Sequence, residues 1–174
     1  QLNPHFLFNT LNSVSALVTS GRAGDANKML LNLSTFLRFS LERESILMTT
    51  LREELVALQL YLDIEKVRFS DRLEIHFNIA PEAYRYAIPS LLLQPLVENA
   101  LKYAISKSES GGTIQITARV IDASLEISVD DSGADSDDIH ISDTEPLSNA
   151  GIGLGLQNIR ERLETCFGSR AYCR

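Results

Sequence analysis

Little in these 174 residues points outside a cell or toward a nucleic acid. The two cysteines, Cys166 and Cys173, sit close together near the C-terminus. Their spacing fits no metal site, and one such pair makes no disulfide framework, so a reducing compartment is the simpler expectation. No apolar run reaches the length of a transmembrane helix, and no signal-peptide pattern opens the chain. Lys and Arg number 16 against 23 Asp and Glu, a formal net charge of −7. No basic stripe runs along any segment, which argues against nucleic acid as the main partner. Internal repeats and low-complexity runs are absent. What remains is 44% hydrophobic and 22% charged, a soluble globular composition with length for one domain or two small ones. The chain opens on Gln1 in an already helical pattern and so reads as a fragment of something longer.

The first part is helical. From about Asn3 to Thr19, with Pro4 in the first turn, Leu7, Leu11, Val14 and Val18 fall within about 60° of one another at 100° per residue. His5 points about 160° from Leu7, with Asn9 and Asn12 within about 40° of it, while Phe6 and Phe8 flank the two faces. Ser20 to Gly24 is a short turn. A second helix follows, with Asp25 as its N-cap and Ala26, Met29, Leu30, Leu33, Phe36, Leu37 and Leu41 in helical period. Such a hairpin buries too little alone, so pairing with a second copy into a four-helix bundle is the expected completion. Glu42 to Thr49 reads as a polar break. Thr50-Leu51-Arg52-Glu53 is a capping box opening a third helix to about Phe69, with Leu51, Leu55, Leu58 and Leu62 buried.

The period then changes. Leu73 to Ile79 alternates as a strand with Leu73, Ile75, Phe77 and Ile79 inward. Pro81 to Pro89 reads as a loop or short edge strand. Ser90 to Ile105 is a strongly apolar helix that either kinks at Pro95 or begins its regular part there. Thr113 to Ile121 and Ser124 to Asp130 are strands joined by a tight turn at Asp122-Ala123. Ala134 to Ala150 is acidic and loop-like. Three alternating glycines, Gly151, Gly153 and Gly155, then precede a helix to about Phe167 with Gly168 as its C-cap, and Ala171 to Cys173 starts a strand. The fold class is therefore α+β: residues 1–45 a helical hairpin, residues 50–174 a sheet covered on one face by helices.

Four groups of residues could carry chemistry. An exposed imidazole at His5 offers a ring nitrogen to a phosphoryl group. Asn99 and Lys102, three apart on one helix, share a face; an amide oxygen suits Mg²⁺ and an ammonium meets phosphates. Asp131 leaves a strand where a carboxylate can accept a hydrogen bond from an exocyclic amine, and Gly133 lets a flat ring lie against backbone. The glycines from Gly151 admit an anion close to the backbone before a helix N-terminus. Each has an ordinary alternative: a surface histidine, a polar helix edge, a strand-exit turn, plain turn chemistry.

Their order is what is specific. Asn99 with Lys102, then Asp131-x-Gly133, then Gly151-x-Gly153-x-Gly155 resemble the N, G1 and G2 boxes of the ATP-binding domain shared by histidine kinases, gyrase-type ATPases and Hsp90. Gln1-Leu2-Asn3-Pro4-His5-Phe6-Leu7-Phe8-Asn9 is similar to the phosphoacceptor box of one branch, the LytS/YehU-like sensor histidine kinases. Leu92 to Ala100 and Tyr61-Leu62-x-Ile64-Glu65-x-x-Arg68-Phe69 resemble that branch too. The resemblance covers nearly the whole chain. It implies a Bergerat-type (GHKL) sandwich after the hairpin, with its C-terminal strands cut short. It implies ATP and Mg²⁺, with His5 phosphorylated, Asn99 holding the metal, Lys102 on phosphate and Tyr103 beside it, and Asp131 on the adenine amine. Gly133, Gly151, Gly153, Gly155 and Leu156 would shape the pocket under a lid from Ala134 to Ala150. It also implies a homodimer, a response regulator receiver domain as phosphate acceptor, and a cytoplasmic position below a membrane-anchored bacterial sensor that lies upstream.

Three departures stand out. Phe6 follows the histidine where most histidine kinases have an acid, so no base for His5 is identified. Asp135 replaces the second glycine usual in the G1 box. Pro95 stands four before Asn99, where gyrase-like ATPases carry the carboxylate that activates water. The expectation is an autokinase core; a nucleotide-binding scaffold without transfer is the alternative.

Overall fold

The computed structural model describes residues 4–43, 46–106, 108, 110–132 and 152–171; for Arg43, Tyr103, Ala104 and 152–155 it describes backbone only. Helix α1 (Pro4–Thr19) and helix α2 (Ala23–Arg43) form the hairpin. α2 begins before Asp25, which lies in its first turn, bound to Arg22 at 2.8 Å, rather than at the cap. The α1 face turned to the rest of the chain also differs from the expected seam. Phe6, Thr10 and Leu17 are buried, Leu7 and Val14 pack at the margin, and Leu11 and Val18 stay 51% and 58% exposed. Phe6 does not flank the seam; it anchors it. Its ring lies 5.5 Å from that of Phe36 on α2 and 4.9 Å from that of Tyr61.

Tyr61 belongs to helix α3 (Leu51–Phe69), which packs on both hairpin helices. The capping box is present: the Glu53 N–H donates to Thr50 Oγ1 at 3.3 Å, and the Thr50 N–H donates to Glu53 Oε2 at 3.2 Å. Leu51, Leu55, Leu58 and Leu62 are buried as the helical period requires, but so are Glu54, Ala57, Tyr61, Ile64, Glu65 and Phe69. α3 is thus covered on most of its circumference.

Two small sheets follow. Strand β1 (Met48–Thr50), within what reads as a polar break, pairs antiparallel with β3 (Ala87–Pro89). Strand β2 (Leu73–Ile79) pairs parallel with β4 (Gly112–Ile121), which pairs antiparallel with β5 (Ser124–Asp131). β2 borders only β4 among the described residues, and there Phe77 keeps 37% of its surface exposed. Asp122 and Ala123 turn the β4–β5 hairpin with φ of 49° and 63°, the pattern of a two-residue primed turn that matches strand twist.

Helix α4 (Leu93–Ala100) has Pro95 in its first turn, where a missing N–H costs nothing, so the regular helix starts there without a kink. It does not continue as α-helix: Leu101–Ile105 is a π turn, which Ser106 closes by giving both its N–H and its hydroxyl to the Leu101 carbonyl. Helix α5 (Ile152–Phe167) ends at Gly168, φ 59°. Gly153 and Gly155 lie inside its first turn instead of preceding it. No described helix is long and apolar enough to cross a membrane.

One position shows how closely the crossover into β4 is fitted. Gly111 adopts φ 78°, and a Cβ there would lie 2.0 Å from the Arg72 carbonyl oxygen. Gly111→Ala is therefore expected to destabilise the fold by on the order of 2–4 kcal/mol, through left-handed strain plus a backbone clash that cannot relax as a side chain would. Urea unfolding of the two proteins measures it; an unchanged midpoint would contradict this packing.

Candidate functional site

The strand register decides where Asp131 faces. Residues directly opposite in an antiparallel pair share a face. Asp131 stands opposite Ile114, as Val129 does Ile116 and Ile127 does Ala118. Ile114, Ile116 and Ala118 are core residues, so Asp131 lies on the helix-covered face, at the exposed end of β5. Its exit is fixed: the Ser132 N–H donates to the Thr113 carbonyl at 3.0 Å, and the Thr113 N–H donates to Ser132 Oγ at 2.9 Å.

α4 packs against both β5 and α5. It carries Asn99, half-buried, and leads into the π turn that carries Lys102, exposed, and the backbone of Tyr103. π turns inside α-helices occur frequently at functional sites. Ala100 (φ −57°, ψ −46°) and Leu101 (φ −62°, ψ −43°) keep helical dihedrals into the π turn, so Asn99 and Lys102 stay three apart on one continuous helical run. α5 brings Leu156, half-buried, with Gly153 and Gly155 in its first turn. The structure thus gathers Asn99, Asp131 and Leu156 on three elements that touch through α4. Gly133, Gly151, Asp135 and the expected lid lie outside the described residues, as does Cys173. Among the described residues no group of three or more His, Cys, Asp and Glu could hold a metal ion. With Asp131 at the strand exit, Asn99 offers an amide oxygen, which suits a Mg²⁺ held mainly by phosphate oxygens and water rather than by a protein cage.

His5 is elsewhere, exposed on α1. The side-chain amide of Asn9, one turn on, lies 3.1 Å from His5 Nδ1. An amide has no basic lone pair, so Asn9 can orient the imidazole but not deprotonate it. A cleft of about 520 Å³ runs between α2 and α3, lined by Arg22, Lys28, Asp63, Lys66 and Asp71 among others. None of its lining residues lies on α4, β5 or α5, and its mixed charges select no anion, so the chemistry of the residues outweighs the size of the opening.

Two buried carboxylates on α3 were not singled out as chemical groups in the sequence. Glu54, 2% exposed, accepts the Leu91 N–H and the Leu93 N–H, each at 3.0 Å. Glu65 is as deeply buried. Burial pushes its carboxyl up to about 7; Arg68 and the Tyr61 hydroxyl pull the other way without overcoming burial, and Glu98 of α4 adds to the rise. Arg68 Nη1 donates to Oε1 at 3.2 Å. Nη2 lies 2.9 Å from Oε2 but off the bonding direction, so that oxygen accepts no aligned hydrogen bond. Burial, then the Glu65 charge, likewise raise the Tyr61 phenol well above its ordinary range. Glu98 is held by Gln94 Nε2, which donates to Oε1 at 2.7 Å.

Comparison with known proteins adds to this geometry. Residues 1–73 match the histidine kinase family, and residues 88–173 match the family of histidine kinase-, DNA gyrase B- and HSP90-like ATPases. The chain is 36% identical to the sensor protein LytS of Staphylococcus haemolyticus over 98% of its length. It is 33% identical to the sensor histidine kinase YpdA of Escherichia coli over 100% of its length. It spans only 30% of either relative. A solved blue-light activated histidine kinase of Erythrobacter litoralis matches 93% of this chain and 55% of its own at a TM-score of 0.45 and 15% identity, too distant to carry an argument.

Glu65 generates a pH prediction. Its folded pKa lies above its unfolded one, so the native state holds the extra proton between about 4.5 and 7. The stability this confers is full below that window and is lost as pH rises through it. Glu65→Gln, uncharged throughout, should flatten that decline and gain on the order of 3 kcal/mol over wild type at pH 8 relative to pH 4. Chemical denaturation from pH 4 to 8 tests it; parallel curves for the two proteins would show that Glu65 is not the group responsible.

Proposed function

Since this chain belongs to the histidine kinase family, with an ATPase domain of the kind shared with gyrase B and Hsp90, we propose that it is the catalytic core of a sensor histidine kinase. It binds Mg²⁺-ATP, phosphorylates His5 and passes the phosphoryl group to the receiver domain of a response regulator. The observation that carries this reading is α4 lying against both β5 and α5, so that Asn99, Asp131 and Leu156 converge, while His5 stands exposed on a separate helix.

The residues take the following parts. Asp131 accepts the exocyclic amine of adenine, and Gly133 gives the ring room. Gly151, Gly153, Gly155 and Leu156 line the phosphate side with Lys102 and Tyr103. Asn99 holds the Mg²⁺, which neutralises phosphate charge when bound. A lone pair on the His5 imidazole attacks the γ-phosphorus, the bond to the β-phosphate oxygen breaks, ADP leaves and the ring proton passes to solvent. Asn9 orients the ring during attack. With Pro95 four residues before Asn99, no carboxylate there activates water.

Residues 1–45 serve as the dimerisation and phosphoacceptor unit, and 50–174 as the ATP-binding unit. Leu11 and Val18 on α1, with Leu30 and Leu41 on α2, keep between 42% and 60% of their surface exposed. On this reading these exposed residues supply an apolar seam that a second copy covers as a four-helix bundle. The core then lies on the cytoplasmic side of a membrane, below a sensor segment, in keeping with relatives named as sensor proteins.

Incubation with labelled ATP tests the assignment of His5. Wild type should gain acid-labile label, and His5→Gln should gain none while still binding ATP. Phosphate release without a response regulator should stay far below one turnover per minute. Release at several turnovers per minute that persists in His5→Gln would favour a gyrase-like ATPase.

Asp131→Asn removes the charge and replaces one of two acceptor oxygens with an NH₂ donor, so the adenine amine loses a charged acceptor. ATP affinity should fall by about 1.5–3 kcal/mol, the scale of a hydrogen bond to a charged group, and preference over GTP should relax. Equilibrium titration with both nucleotides measures it; unchanged affinity for both would leave Asp131 a turn residue.

A further inference from the structure

Outside the residues placed at the nucleotide, the strap Ser90-Leu91-Leu92 between β3 and α4 is held by side chains of two other helices. Ser90 and Leu92 are buried, and Leu91 is held at φ 56°, a left-handed conformation unfavourable for leucine. Two side chains from different elements hold it there. From α3, Glu54 accepts the Leu91 N–H at Oε2 and the Leu93 N–H at Oε1, both at 3.0 Å. From α5, Arg162 donates through Nη1 to the Ser90 carbonyl. The Leu93 N–H is one of the donors a helix start leaves without an intrahelical partner, and the helix dipole there favours a negative charge. That is why a carboxylate with 2% exposure is tolerated at this point.

The strap is the base from which α4 projects. Six residues beyond Leu93 stands Asn99; six residues before Arg162 stands Leu156. We propose that Glu54 and Arg162 are positioning residues of the nucleotide site: acting through the strap, they fix the distance between α4, with Asn99 and Lys102, and α5, with Gly153, Gly155 and Leu156. The inference rests on the nucleotide site proposed above. A metal-bound triphosphate spans the two helices and so depends on their separation. The adenine end, held by Asp131 on β5, does not pass through the strap. Loosening the clasp therefore weakens the triphosphate contacts and spares the adenine contact.

The test is calorimetric titration of the 174-residue chain with Mg²⁺-ATP and, separately, with adenosine. Glu54→Gln keeps the size but turns one acceptor oxygen into an amide NH₂ facing an N–H. Mg²⁺-ATP should bind roughly tenfold or more weakly and adenosine within about twofold of wild type. Arg162→Lys, which loses the planar fork, should show the same split. The double variant should fall short of the product of the two single effects, since both act on one strap. Equal losses on adenosine and Mg²⁺-ATP would reduce both residues to general stability and overturn the proposal, as would single effects that multiply fully. Asn99→Asp, run alongside, separates the two levels. If it weakens Mg²⁺-ATP while Glu54→Gln and Arg162→Lys do not, the clasp alone is wrong. If it too leaves Mg²⁺-ATP unchanged, the site assignment fails and the clasp with it. Should Glu54→Gln not fold, the split in Arg162→Lys, a surface side chain, decides alone.

Discussion

Helix α3 must be dry on most of its circumference, because hairpin, small sheet and α4 all lean on it, and yet it buries two carboxylates. Glu54 and Glu65 are eleven residues apart, about 20° apart on a helical wheel, so one face of α3 carries both. That face looks to α4: Glu54 bonds its start, and Glu65 feels the charge of Glu98 further along. Taking a carboxylate out of water costs several kcal/mol unless each oxygen finds a partner. Glu54 meets that demand with two backbone N–H groups and remains an acceptor. Glu65 has a guanidinium that matches only one of its oxygens, together with a tyrosine hydroxyl and a like charge nearby, and its proton is correspondingly hard to remove. The same helix thus treats the two carboxylates differently, according to the donors each one meets.

Much of this fold was legible in the chain. The change from a period of 3.6 to a period of 2 at Leu73 marks the passage from helices to strands, and the Thr50–Glu53 capping box fixes the start of α3. The Asp122-Ala123 turn places the β4–β5 hairpin to within a residue at either end. The three-residue β1 was not legible, because Met48–Thr50 is too short to show alternation and its partner lies far along the chain. Nor was the buried role of Glu54. In sequence it is the twin of Glu53, which sits exposed in the capping box; only the burial of the facing strap distinguishes them. The π turn after Ala100 has no signal in local pattern at all.

The displaced seam on α1 has a physical reason. A helical wheel finds the stripe richest in aliphatics, Leu7, Leu11, Val14 and Val18, and takes it for the inner face. Within one chain, α1 instead turns Phe6, Thr10 and Leu17 inward, because an aromatic ring can reach Phe36 and Tyr61 together. Thr10 can face inward because its hydroxyl donates to the Phe6 carbonyl at 2.8 Å. The two stripes are about 90° apart, and α2 and α3 together cover the Phe6 stripe and only the margin of the other. Of the aliphatic stripe, Leu7 and Val14 pack at the edge of the core while Leu11 and Val18 stay exposed, and it is this outer part that the proposed pairing of two hairpins would cover.

Pro95 ties the architecture to the chemistry. A helix start leaves four N–H donors without intrahelical partners. In α4, whose N-cap is Leu92, these belong to Leu92, Leu93, Gln94 and residue 95; Glu54 takes that of Leu93, and proline at 95 removes the last. A carboxylic acid at 95 would restore an N–H in need of a partner. It would also set a second negative charge two residues past the N–H groups that hold Glu54, at a helix end whose dipole is already engaged by one carboxylate. The strap can therefore be clasped from α3, or α4 can carry its own acid in the first turn, but the two arrangements compete for the same helix terminus. In this chain the clasp occupies it. A helix begun in this way carries no side-chain base four residues ahead of Asn99, which is the feature on which the proposed kinase reading and a gyrase-like ATPase part.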